Sequence, residues 1–313
     1  MAGWFDAAPA SPRRLSKRSK DKMTHQKAIR LPWLAALALS LTFLGSAAWA
    51  QSKVCDALTP EQQKSKAEVF SKLHPYDGCD ETLERCLAQR PPHPVVLRLA
   101  NDICRQIKLG KARVDIEHAL SLRAQSMLPN AKLPTFALDE NTAAGDPRAP
   151  VRVVVYACAR CPFCKVVVAA LYKEVTSGSL AGKVRLYFRP FPIKSHIGSL
   201  EGGLAMVSAA RLGHFWPFTL KMYERYDAFC PKLLPEWAKE VGMDPSAFER
   251  ELSDPKVREA LVASKQEGIR NKVGATPTVF IDGREYLYEM QPEVLIDVLQ
   301  EAYDARPTTR PIP

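Results

Sequence analysis

At roughly 150 residues to a domain, 313 residues make room for about two domains and a substantial buried core. With 46% hydrophobic and 25% charged residues the composition excludes a disordered or fibrous chain, and eight cysteines are too few for a disulfide-built miniprotein, where Cys exceeds about 8%. The formal charge of +10 is uneven: residues 1–50 hold eight Lys/Arg against two Asp/Glu and the remainder 36 against 32, with no basic-aromatic stretch, which excludes a nucleic-acid face.

Lys27 and Arg30 precede the apolar run 31–44, and Ala48-Trp49-Ala50 follows as a small-x-small site. This is the pattern of a secretory signal peptide over residues 1–50, with Met23 a natural start. The run falls short of the about 20 apolar residues a span needs, and Gly45-Ser46 interrupts it, so a cleaved leader is expected rather than an anchor. Arg13-Arg14 as a twin-arginine signal is the alternative route. All eight cysteines follow residue 50, and export to the periplasm or the medium puts them where disulfides persist.

Residues 51–130 are expected to be helical, with apolar spacings of three or four over 60–73, 80–88, 94–109 and 114–126 and breakers between. Their four cysteines allow three pairings, of which Cys79–Cys86 with Cys55–Cys104 is the expected one. A Pro-rich, polar passage at 128–150 contains one short strand signal, 134–138. From 151 the texture is β/α: a buried strand at 151–156, a helix at 161–175 and a strand at 183–189. A helical stretch covers 195–271, with breaks at Gly213, Pro217, Pro231 and Asp244-Pro245. Strands at 278–281 and 285–288 flank an Asp282-Gly283 turn, a helix fills 292–305, and 307–313 is a tail.

The chemistry concentrates in Cys158-Ala-Arg160-Cys161-Pro162-Phe163-Cys164, where the buried strand gives way to the helix. A Cys at a helix N-cap meets unpaired N–H groups and the positive end of the helix dipole, which stabilise a thiolate. A second Cys one turn on can close a small disulfide ring, and Pro at the first helical position loses no hydrogen bond. Such a thiol drops from about 8.5 to between about 3.5 and 7.5 and becomes both nucleophile and leaving group. Three other readings compete. A structural bridge over so short a loop stabilises little. Zinc would need a second Cys or His pair, which is missing, and an iron–sulfur run stops at Val168. No metal and no organic cofactor is expected. Downstream, Gly274-Ala275-Thr276-Pro277-Thr278 places a proline at the head of a strand, which a cis peptide at Thr276–Pro277 or an edge position would explain.

Taken in order, 154–165, the segment 184–191 and 274–283 resemble the DsbA-like thiol–disulfide oxidoreductases of the thioredoxin superfamily, over about 132–305. The resemblance implies an α/β thioredoxin-like fold over 131–306 with a helical insertion at 195–271, preceded by the small all-α cysteine-containing domain. It implies Cys161 as attacking and Cys164 as resolving cysteine, with Thr276 and Pro277 forming a loop that binds substrate backbone. The implied partners are exported proteins with thiols or disulfides and a membrane or thioredoxin-like redox partner. The helical domain offers a homodimer contact.

Two departures stand out. Ala157-Cys158 replaces the Ser-Asp of many relatives, which leaves the proton acceptor for the buried thiol unassigned. Cys158 is expected to be inert or paired with Cys230, with trapping of Cys161 the third option; Arg160 and Phe163 are further modulators. Phe163 lacks the donor that the family's strongest oxidant places there, so a milder oxidant is expected. His196 and His214 are assigned surface or satisfied polar roles rather than catalysis, and Phe215-Trp216-Pro217-Phe218 the insertion core, or else a substrate groove. An isomerase or reductase, and a non-catalytic thioredoxin-fold adaptor or chaperone, remain the alternatives to an oxidoreductase of protein thiols.

Overall fold

The computed structural model describes residues 53–128 and 133–306, so the expected leader and the 307–313 tail lie outside the described residues. Five helices open the described chain: α1 (Lys53–Asp56), α2 (Pro60–Lys72), α3 (Leu83–Ala88), α4 (Pro94–Lys108) and α5 (Arg113–Gln125). Helix α2 starts where a capping box forms, Thr59 accepting from Gln62 N and the Gln62 side chain answering the Thr59 N–H. Their apolar faces meet in a core of Val69, Phe70, Leu83, Val96, Leu99, Ile103 and Ile116. Two disulfides staple it, Cys55–Cys104 and Cys79–Cys86.

A five-stranded sheet follows: β1 (Ala143–Ala144), β2 (Val151–Ala157), β3 (Val184–Pro190), β4 (Thr278–Ile281) and β5 (Arg284–Glu285), in the order β1-β3-β2-β4-β5. Strands β2 and β3 run parallel, joined by α6 (Pro162–Thr176), and the other pairs are antiparallel. Strand β2 is buried along nearly its whole length, which is why it reads as a continuous β-branched run. Val153, Val155 and Phe188 face α6 and the final helix α12 (Pro292–Asp304), while Val154, Tyr156, Phe191 and Phe280 form a smaller core on the other side. The mixed α/β thioredoxin-like arrangement expected from the sequence is the observed one.

Between β3 and β4 lie α7 (Ser199–Arg211), α8 (Phe215–Glu224), α9 (Leu234–Glu240), α10 (Pro245–Ser253) and α11 (Pro255–Arg270). Pro217 does not break the helix as expected. It sits in the first turn of α8, where no intrahelical N–H bond is lost. The break is Gly213, at φ 74°. Phe215 and Phe218 are buried in the main core, so they build no substrate groove.

Two expected strands change. Residues 134–138 take no regular secondary structure and join no ladder, because α11 and the turn after it capture their backbone: Ala137 N donates to Glu267 Oε2 at 2.6 Å and Asn271 Nδ2 to Thr135 O at 3.0 Å. Of 285–288 only Glu285 belongs to β5, since Leu287 N turns away to Ser126 Oγ at 2.9 Å.

The helical region is tied to α12 by buried charge. Arg123 donates to Asp102 Oδ2 at 3.0 Å and to Glu301, which also accepts from Tyr76, while Arg98 reaches Asp304 at 2.6 Å and Arg105 reaches Glu289 at 3.1 Å. Arg123 has no exposed surface, so its charge is balanced by the two carboxylates alongside it.

Candidate active site

Strand β2 ends at Ala157, and a tight turn, closed by Cys161 N donating to Cys158 O at 3.3 Å, delivers the chain to α6. Cys161 is the N-cap of that helix and Pro162 its first residue, so the helix's free N–H groups converge on one sulfur. Cys161 Sγ accepts from Cys164 N at 3.4 Å and, as a thiol, donates to Thr276 O at 3.2 Å. Hydrogen bonds from the Cys164 thiol, the Cys164 N–H, the Thr276 hydroxyl and the Phe163 N–H, outweighing burial, lower Cys161 from 9.0 to about 5. Burial, then the proximity of Cys161, pushes the Cys164 thiol well up. One sulfur is held ionised and its neighbour held protonated.

The loop opposite contains the cis peptide Thr276–Pro277. Thr278, which pairs with Tyr156, starts β4 immediately afterwards and fixes the Thr276 carbonyl beside Cys161. The Thr276 hydroxyl is buried with no partner among the described residues other than the sulfurs it faces, and it favours the ionised form of both. The backbone of Cys161 and its sulfur are almost covered, at 1% exposed, whereas Phe163 stands out at 69%.

Arg160 is clamped by the helical insertion. Its guanidinium lies 4.1 Å from the Tyr226 ring and 4.6 Å from Phe229 and donates to Tyr226 O, and Tyr226 OH returns a bond to Arg160 O at 3.1 Å. Lys165 Nζ sits 4.3 Å from the same Tyr226 ring. Two cations thus flank the motif, both over π-faces, and Lys165 also lies 4.0 Å from the exposed Asp227 carboxylate. Nothing local in the sequence marks Tyr226 and Phe229, which lie more than sixty residues beyond the motif.

Cys158 and Cys230 are both free thiols, so the expected pairing between them is absent. The reason is local. Cys158 lies buried at the end of β2, accepting from Arg160 N at 3.4 Å, with His196 Nδ1 also at 3.4 Å. Cys230 is half-exposed, just before a short turn of 3-10 helix. Burial raises the Cys158 thiol. Of the two roles expected for His196, surface or satisfied polar, the second is the one found: its ring nitrogen lies against a buried sulfur. His214 is the N-cap residue of α8, its carbonyl accepting from Phe218 N at 3.1 Å, but its side chain makes no capping bond. Among the described residues no group of three His, Cys, Asp or Glu side chains is arranged to hold a metal ion.

A family model described as thioredoxin matches residues 138–301, just over half of the chain. The chain belongs to the thioredoxin family. Solved structures to which this thioredoxin-family chain is similar include a thioredoxin-like oxidoreductase from Silicibacter pomeroyi DSS-3, 22% identical, covering 54% of this chain and 95% of that one with a TM-score of 0.46. BdbD from Bacillus subtilis is 19% identical, with 56% and 100% covered and a TM-score of 0.47. The thiol-disulfide exchange protein α-DsbA2 from Wolbachia pipientis is 18% identical, with 61% and 98% covered and a TM-score of 0.45. Among curated proteins, the Na(+)/H(+) antiporter NhaA 1 of Mycolicibacterium gilvum (strain PYR-GCK) is 24% identical over 159 residues, 50% of this chain and 25% of that protein. NhaA of Herminiimonas arsenicoxydans is 30% identical over 105 residues, 34% of this chain and 15% of that protein. The chain spans a quarter or less of the length of these curated relatives. No helix of the described residues is long and apolar enough to cross a membrane.

Proposed function

We propose that this protein is an exported dithiol–disulfide oxidoreductase that exchanges disulfides with protein thiols through Cys161 and Cys164. The observation that carries the reading is the Cys161 sulfur, lowered to about 5 at a helix N-cap beside a strongly protonated Cys164. In the oxidised protein a substrate thiolate attacks Cys161 Sγ and the Cys161–Cys164 bond breaks. Cys164 leaves and takes a proton, as its raised pKa favours. The substrate's second thiolate then attacks the mixed disulfide, and Cys161 departs as a thiolate already stabilised by N–H, thiol and hydroxyl donors. Since those donors stabilise the reduced protein, the favoured direction is oxidation of the substrate.

Thr276 and Pro277 are the proposed strip for substrate backbone, adjacent to the reacting sulfur. Exposed Phe163 supplies apolar contact for an unfolded polypeptide. Export is supported by the apolar run 31–44 with its flanking Lys27 and Arg30, and by two disulfides of a kind that oxidising compartments maintain. N-terminal sequencing of the exported protein tests cleavage after Ala50.

The deciding experiment measures alkylation of Cys161 in the reduced Cys158→Ser protein as a function of pH. A rate that rises with a midpoint near 5 is expected; a rate no faster than that of a free peptide thiol overturns the reading. The reduction potential is expected between about −270 and about −120 mV, the values for relatives whose thiols ionise near about 7 and about 3.5.

A further inference from the structure

Cys161 has a thiol three residues on either side of it, at 158 and at 164. Resting on the exchange reading above, we propose that Cys158, with His196 as its base, is a second resolving cysteine, and that Cys161 forms a disulfide with Cys158 as well as with Cys164.

The turn between the two residues supplies the geometry. Cys161 N donates to Cys158 O at 3.3 Å, which makes them the ends of a β-turn. The Cα atoms at the ends of such a turn lie within about 7 Å, and a disulfide spans Cα atoms about 4.4–6.8 Å apart. The Cα separation of the two cysteines therefore suits such a bond. Helix α7 packs directly on this turn, with Gly202 against Ala159, which keeps water away from the Cys158 sulfur.

The proton inventory supplies the second argument. Burial raises both Cys158 and Cys164, so each must hand a proton to a base before it can attack. The described contacts of the Cys164 sulfur are the Cys158 N–H at 3.5 Å, the Cys161 side chain and the Thr276 hydroxyl; none is a base at neutral pH except the Cys161 thiolate, which a mixed disulfide removes. Cys158 has His196 Nδ1 at 3.4 Å, and His196 is half-exposed, so a proton placed on the ring can pass to water.

The step balances as thiol–disulfide exchange. With Cys161 joined to a substrate sulfur, the Cys158 S–H proton moves to His196 Nδ1 and the Cys158 sulfur attacks Cys161 Sγ. The Cys158–Cys161 bond forms, the Cys161–substrate bond breaks, and the substrate sulfur leaves as a thiolate that takes up a proton. Two enzyme thiols are oxidised and one substrate disulfide is reduced.

The test uses the full chain with Cys164→Ser, reduced, exposed to oxidised glutathione, quenched in acid with maleimide and digested with trypsin. Cleavage after Arg152, Arg160 and Lys165 separates 153–160, which carries Cys158, from 161–165, which carries Cys161. A Cys158–Cys161 bridge therefore joins two peptides, whereas a Cys161–Cys164 bridge stays inside one. The expected result is a transient glutathione adduct on Cys161 that converts to the joined pair. The Cys158→Ser, Cys164→Ser double variant should keep the adduct. Adding His196→Ala to Cys164→Ser should slow conversion about a hundredfold, the lower end of what a positioned general base supplies, without slowing adduct formation. A Cys164→Ser protein that holds glutathione as stably as the double variant overturns the proposal, and unchanged conversion without His196 overturns the role of the base. The unsubstituted protein guards against damage by the serine: partly oxidised, it should give the joined pair alongside the internal bridge. An internal bridge alone sinks the second resolving cysteine and leaves the exchange reading intact; neither bridge nor adduct at Cys161 sinks the exchange reading itself.

Discussion

The helical region and the sheet region each hold four cysteines, put to opposite uses. In the helical region all four are bonded, across a small core that five short helices cannot enlarge. Around the sheet all four are free, and three of them crowd one helix terminus. A thiol among apolar side chains with another thiol in reach becomes a staple. A thiol among convergent N–H groups is held as a thiolate. Backbone placement, rather than burial, separates the two: Cys86, Cys104 and Cys164 are equally buried.

That contrast is open to attack from both sides. The largest effect expected is from Cys161→Ser, which should abolish exchange with glutathione or reduced protein substrates and leave both helical disulfides in place by peptide mapping. On the helical side, Arg123→Met should cost about 3–5 kcal/mol in urea unfolding, because it removes the fully buried cation shared by Asp102 and Glu301 and leaves them only the partly exposed Arg105 and Arg98. Replacing Cys55 and Cys104 by Ala should cost about 4 kcal/mol and replacing Cys79 and Cys86 about 2.5, following the sequence separations of 49 and 7 that the bridges close. Neither pair should alter the Cys161 alkylation profile.

A pH experiment sharpens the comparison further. The Cys161 thiolate adds stability only to the reduced protein. Its contribution is complete near pH 9, the ordinary value for the unfolded thiol, declines as pH falls, and is lost through about 5. Above pH 9 the suppressed ionisation of Cys164 works against it. The stability of the reduced protein relative to the oxidised one should therefore shrink between pH 8 and pH 4, as read by paired denaturation curves. The smallest effect is that of Phe163→Ala. Stability should stay within about 0.5 kcal/mol for so exposed a side chain, and exchange with glutathione should not change. Exchange with an unfolded protein should slow up to about tenfold, roughly 1.4 kcal/mol of apolar contact.

Much of this was visible in the residues. The β-branched run of β2, the Cys-Pro-x-Cys at its end and the Thr-Pro before β4 each carry a local physical signature, and together they place the sulfur, the helix terminus and the facing loop. The helical spacings of 60–73 and 94–109 likewise locate α2 and α4 to within a residue. What the sequence hides is every partner brought in by distant chain. Residues 134–138 look like a strand until Glu267 and Asn271 take their backbone groups. His196 gives no sign of its partner until folding sets it on a sulfur 38 positions earlier. Arg160 gives no hint of the aromatic grip that Tyr226 and Phe229 close around it.

The charge cluster of Arg123, Asp102 and Glu301 fastens α4 and α5 to the last helix of the chain, α12, which itself covers one face of the sheet. Peeling the first helices away would part Arg123 from Glu301 and uncover the apolar surface that Ala119 and Leu122 share with the main core. A calorimeter should therefore record one endotherm for residues 53–306, in which the first helices and α12 melt at the same temperature.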